Sequence, residues 1–351
     1  NTITNRDGSH GPQVCGITTF GSSGMQLPSG PTEFRGGRGR GIVAGGRNLP
    51  ATTVQNAIDM IEIATLGNAV DFGDLAQQNT GVNGGASSTT RAVLAGGYEQ
   101  PADSLTDRLQ FVILSSSGGA VNFGNLINGN NGGIGCESNN IRGIFYGGNN
   151  PEYVSFLTQI NLQSLGSDSD FGSTLVAQRN SAGVASPTRA VFAGGDASTG
   201  NLFTIQFIEF ATLGTPTSFG QLTDDRTGHA SVSSGTRGVF AGGKAPGVVD
   251  TMEYITIATE GNGTDFGDLS AAKRNITGNS NSVRGTFAGG HTAASGTGNN
   301  INVIEYITIA STGNAADFGD LTVSRYTLAG AASRTRAVFM GGHTNPGPIK
   351  D

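Results

Sequence analysis

The pattern Arg-x-x-x-x-Gly-Gly occurs seven times, beginning at Arg40, Arg91, Arg142, Arg189, Arg237, Arg284 and Arg336. Successive arginines are 47–52 residues apart. Phe-Gly pairs run in phase with them, at Phe72, Phe123, Phe171, Phe219, Phe266 and Phe318, each 18 or 19 residues before the next arginine. A further pair, Phe20-Gly21, lies 20 residues before Arg40 between poorly matching flanks. A chain built this way is an array of one small unit, and each unit needs its neighbours to bury its faces.

Each unit reads as four strands, here named a to d. Strand b carries the arginine and an apolar centre such as Val338-Phe339, and its Gly doublet ends it. A connection of variable length follows. Strand c alternates, as in Ile58–Ile63, Met252–Ile257 and Ile304–Ile309, with the β-branched and aromatic residues of a half-buried strand. Strand d holds the Phe-Gly pair, commonly as Asp-Phe-Gly-Asp-Leu. A Gly, Ala and Ser-rich stretch then forms strand a of the next unit, small enough for a crowded axis. No apolar stripe of helical period is long enough for a helix. A period near 50 with four short strands predicts an all-β fold, a seven-bladed β-propeller of four-stranded blades. The expected units are roughly 28–75, 76–126, 127–175, 176–222, 223–269 and 270–321, with 322–351 and 1–27 sharing the last, so that 1–351 is a single domain. In that shared blade the C-terminus supplies a and b, and residues near 14–21 supply at least d, which removes an open edge.

The order of signals resembles kelch repeats: an apolar strand closed by Gly-Gly, a strand with Glu-Tyr at Tyr254 and Tyr306, an aromatic, and an arginine before the small-residue strand at Arg179, Arg226, Arg274 and Arg325. The resemblance covers roughly residues 14–342. The aromatic that is usually Trp is Phe here, the chain has no Trp, and the first three units lack the pre-strand arginine. The wording of the Asp-Phe-Gly-Asp-Leu and Thr-Arg-Ala-Val-Phe segments also resembles kelch-like proteins of bacteriophages, notably marine ones. That resemblance implies a virion protein.

Charged residues are only 13% of the chain and its net charge is −6, without a Lys/Arg block, which argues against nucleic acid as partner. No run approaches a membrane span. A surface rich in Ser, Thr, Asn and Gly suits a virion or extracellular location. Cys15 and Cys136 would fall in well-separated blades, so two thiols rather than a disulfide are expected.

The seven arginines are expected to be structural, binding main-chain carbonyls or pairing with the Asp before Phe at Asp71, Asp170, Asp265 and Asp317. Asp71/Asp74, Asp265/Asp268 and Asp317/Asp320 are read as turn-stabilising rather than as calcium ligands, which come as a compact set of six to eight oxygens. The residue after each Gly doublet is Arg47, Tyr98, Asn149, Asp196, Lys244, His291 or His343. Such variety at one position is not a metal site. It marks a rim of variable loops where a ligand would bind, and changes at Tyr98, Asp196 or His291 should leave stability nearly unchanged. No cofactor, metal or catalytic set is expected. Four His and two Cys are too few for a copper oxidase, and the pre-strand arginines recur by register rather than clustering as a sialidase-type site. The reading is a non-catalytic virion or surface protein whose variable rim binds a host glycan, a host protein or other virion proteins. The alternative is a secreted carbohydrate-active enzyme or lectin.

Overall fold

The computed structural model describes residues 39–48, 53–80, 84–102, 104–127, 133–212, 214–293 and 299–344. They are all-β, with no helix among them, and the main sheets are antiparallel with strands in chain order. The first sheet has strands b, c and d at Arg40–Ala44, Ala57–Glu62 and Val70–Asp74. The second has all four, at Gly84–Ser87, Arg91–Ala95, Arg108–Ile113 and Val121–Asn125. The third runs Gly135–Ser138, Arg142–Tyr146, Phe156–Asn161 and Ser169–Ser173. The fourth runs Ala182–Ala185, Arg189–Ala193, Thr204–Glu209 and Thr217–Gln221. The fifth is Ala230–Ser233, Arg237–Ala241, Thr251–Thr256 and Thr264–Asp268. The sixth is Thr277–Ser280, Arg284–Ala288, Val303–Thr308 and Ala316–Asp320. The seventh has strands a and b, Ala329–Ala332 and Ala337–Met340. Phe20 and Cys15 lie outside the described residues. Cys136 is in strand a of the third sheet, where the register placed it.

Neighbouring sheets touch through their small-residue a strands, and strand a of the seventh touches strand b of the first. Small residues are needed there: a Cβ on Gly41 would meet the Ala331 Cβ at 2.8 Å, and one on Gly143 would meet that of Ala86 at 2.7 Å.

Strand d explains its own sequence. In the six sheets that have strands c and d, the register shifts by one residue opposite the Phe-Gly pair, leaving the Phe as the extra residue of a bulge. The bulge turns that ring inward. Phe72, Phe123, Phe171, Phe219 and Phe266 are buried, each worth about 2–3 kcal/mol of transfer free energy. The aspartate before it closes the bulge: Oδ1 of Asp170, Asp265 and Asp317 accepts the N–H of Gly172, Gly267 and Gly319 at 3.0–3.1 Å. These carboxylates are not the arginines' partners, and the expected pairing with Asp71, Asp170, Asp265 and Asp317 is replaced by the contacts described next.

Candidate functional site

The a–b and c–d turns share one rim of the sheets, and the arginines occupy it. Nη1 of Arg40, Arg91, Arg189, Arg237 and Arg336 donates to the carbonyl of Leu114, Leu162, Ile257, Ile309 and Ile63 at 2.8–3.0 Å. Arg142 reaches the Phe210 carbonyl in the same way. Every acceptor is the buried residue just after strand c of the next sheet, and for Arg336 the next sheet is the first. Each of these six arginines therefore latches its own sheet to its successor. Arg40 and Arg189 also pair with Glu62 and Glu209, at the end of strand c in their own sheets, at 2.7 and 2.6 Å. An aromatic of strand c lies under the guanidinium: Phe111, Phe207, Tyr254 and Tyr306 face Arg91, Arg189, Arg237 and Arg284 at 4.2–4.6 Å. That ring packs edge-on against the bulge Phe of strand d. Tyr254 and Tyr306, read from the sequence as repeat markers, belong to this column.

A second tie lies deeper, in the crossover from d to the next a. Arg226 pairs with Glu253 and Lys273 with Glu305, all four buried. In the fourth sheet the same tie is neutral, Gln206 Nε2 donating to Gln178 Oε1 at 3.0 Å. The strand-c side chain also accepts a crossover N–H, from Ala76 to Gln110, Leu175 to Gln206, Thr223 to Glu253 and Ser270 to Glu305, at 2.6–2.9 Å. The four pre-strand arginines are thus two different positions. Arg226 and Arg325 are buried and stand with Gln178 and Lys273, whereas Arg179 and Arg274 are one residue later, level with Thr227 and Tyr326.

The residues after the Gly doublets are on the other rim, where the structure gives them backbone duties. Asp196, Lys244, His291 and His343 form single bridges with Arg179, Thr227, Arg274 and Tyr326, and Tyr98 pairs with Thr80. Arg47 pairs with Val54 and Asn149 with Tyr153. Two of them are structural, contrary to the expectation of free replacement. Asp196 accepts hydrogen bonds from Arg179, Asn180, Tyr153 and Thr227, tying three successive units together. Burial pushes the Asp196 carboxyl up, but the bonds from Arg179, Asn180 and Tyr153 outweigh it and hold it below the usual range. His291 is 2% exposed, bonds Asn275 and packs edge-on against Tyr326, which stacks on His343 at 5.5 Å. His291 and His343 are therefore brought together, through Tyr326, but among the described residues the cavity beside Arg142 and the one beside Arg40 are lined by none of the seven. Among the described residues no group of three or more His, Cys, Asp or Glu is arranged to hold a metal.

Other buried groups gave no sequence signal beyond a break in the repeat. Tyr146 stands where the other b strands have Ala or Met, stacked on Phe192 at 4.2 Å. Gly135 and Gly183 make its room, and burial with the nearby Glu137 raises its hydroxyl well above the usual range. His229 is buried against Phe240, and burial together with the Arg226 charge lowers its pKa to about 3. The unfolded chain takes up a proton near pH 6.5 that the fold refuses, so this histidine's contribution is intact above pH 6.5 and is lost as pH falls toward 3, by at most about 1.4 kcal/mol per unit. His229→Leu should flatten the fall of stability between pH 6.5 and 4, measured by urea unfolding. A variant with the wild-type slope would remove His229 as the cause.

No protein-family model matches the chain, and no curated protein matches it.

Proposed function

We propose that the chain is a seven-bladed β-propeller serving as a non-catalytic virion or surface protein, with its variable rim as the binding face for a host glycan or a partner protein. The observation that carries this reading is the division of labour between the rims. On the turn rim the repeated arginines are consumed by contacts between sheets. On the loop rim the position after the Gly doublet holds seven residues of six kinds on a backbone bridge that does not depend on them. Arg47, Tyr98, Asn149, Lys244 and His343 are the proposed contact residues, with Asp196 and His291 holding the rim's shape.

Closure of the ring is part of the proposal. The arginine latch and strand contact from the seventh sheet to the first support it. So does a gap in the pattern. A Cβ on Gly73, Gly124, Gly172, Gly220 or Gly267 would strike the c–d turn of the following sheet, whereas Gly319 has nothing within 4 Å and the adjoining Phe318 is 57% exposed. Residues near 14–21, with Phe20 as the bulge aromatic, are proposed to complete that seventh blade.

Gold-labelled antibody on virions and cells of the source culture tests the role. Label at a tail or fibre tip is the expected result and fits host adhesion, and label over capsid or neck fits an architectural role. Particles without label would sink the virion reading and favour the secreted lectin or enzyme.

A further inference from the structure

The third sheet breaks the arginine column in two places at once, and a cavity of about 260 Å³ opens at the break. Counted back from the bulge Phe, the strand-c aromatic that lies under the guanidinium in the second, fourth, fifth and sixth sheets is Gln159 in the third. The strand-end carboxylate that pairs with Arg40 and Arg189 in the first and fourth sheets is Asn161; Ile113, Thr256 and Thr308 stand there in the second, fifth and sixth, each with its aromatic in place, so of the six sheets with a strand c the third alone lacks both partners. Arg142, Gln159 and Asn161 all line the cavity. Among the described residues Arg142 has no carboxylate partner and the Gln159 side chain makes no hydrogen bond to another residue. The rest of the wall mixes hydroxyl groups, Ser164 and Ser167, with the apolar Leu165 and Phe123.

We propose that this cavity is a binding site for one carboxylated sugar residue, a hexuronic acid unit of a glycan. The fourth sheet is the template. There the protein itself supplies a ring 4.2 Å beneath Arg189, in Phe207, and a carboxylate 2.6 Å from its edge, in Glu209. The third sheet keeps the guanidinium, fixed by its latch to Phe210, and lacks both partners. A ligand that replaces both carries a ring and a carboxylate on one frame. Guanidinium and carboxylate form the strongest class of charge-assisted hydrogen bond. Gln159 and the serine hydroxyls offer donors and acceptors that match sugar hydroxyls and are wasted on a flat hydrocarbon ring. The site is on the turn rim, away from the variable loops, so its failure would leave the loop-rim reading untouched.

The test is calorimetric titration of the full chain with trigalacturonate, with maltotriose as the neutral sugar and benzoate as the flat aromatic acid. Trigalacturonate is expected to bind at least roughly tenfold more tightly than either control, the scale of one charge-assisted contact. Gln159→Phe with Asn161→Glu rebuilds the fourth-sheet arrangement and should weaken trigalacturonate at least about tenfold without lowering the melting temperature. Asn161→Glu alone, at an exposed strand end, should weaken trigalacturonate and leave maltotriose unchanged, which keeps the test decisive if the double variant folds poorly. No binding by the wild type, tighter binding of benzoate, or equal trigalacturonate binding by Asn161→Glu would each overturn the proposal.

Discussion

Replacing Glu253 by alanine is expected to cost about 3–5 kcal/mol, because it leaves a cation inside the protein without its counter-charge. Arg226 is fully buried, and burial lowers its pKa against the opposing pull of Glu253, so that carboxylate is what compensates the buried guanidinium. The Thr223 N–H and hydroxyl lose their acceptor as well. The molecule also contains the remedy. Gln178 and Gln206 hold the same place in the fourth sheet with a neutral hydrogen bond. The double variant Arg226→Gln, Glu253→Gln should therefore come within about 1 kcal/mol of wild type, since a well-satisfied neutral pair replaces a buried ionic one at little net cost. Denaturant unfolding of wild type, both single variants and the double variant gives the cycle. A double variant as unstable as Glu253→Ala would mean that charge, rather than a filled hydrogen-bonding position, is what this crossover requires.

Gly195→Val and Gly290→Val should each lose about 3–5 kcal/mol, from strain at a left-handed backbone and collision together. Gly195 has φ +99° and Gly290 φ +101°. A Cβ would stand 2.5 Å from the Arg179 carbonyl oxygen in the first case and 2.4 Å from the Ile276 side chain in the second. The doublet also grips the crossover: the N–H groups of Gly195 and Gly290 donate to the carbonyls of Arg226 and Arg325 at 2.9 Å. Gly235→Ala is the control, since a Cβ there meets nothing within 4 Å, and it should melt like wild type. Thermal unfolding distinguishes them, and valine variants with unchanged melting would refute the argument.

The scaffold was legible because its signals are side chains in fixed register. Among the described residues the Gly doublets, the Phe-Gly pairs and the alternating c strands fall where the repeat put them. Of the two partners expected for the arginines, carbonyls and aspartates, six of the seven arginines take carbonyls, and which carbonyls was not legible because a main-chain acceptor leaves no mark in a sequence. The nearest acids in register, such as Asp170 and Asp265, are taken up by their own strand's bulge. The split of the pre-strand arginines was recoverable by counting: Arg226 and Arg325 are seven residues after the bulge Phe, and Arg179 and Arg274 eight. Asp196 and His291 looked replaceable because their position varies between units, yet a varied side chain still acquires partners once its neighbours vary with it. The Gln159 break was visible in the same way, as the polar residue in a column of Phe, Tyr and Met, but only the fold shows which guanidinium it uncovers.

The latch has a consequence for how such a chain can grow and change. Its donor must be an arginine, while its acceptor is whatever residue follows strand c, and Leu, Ile and Phe all serve. A duplicated unit thus arrives carrying its own clasp and its own eye, ready to join either neighbour without any change in them. Swaps, insertions and shuffles of whole units preserve every such latch, and only the loss of an arginine undoes one.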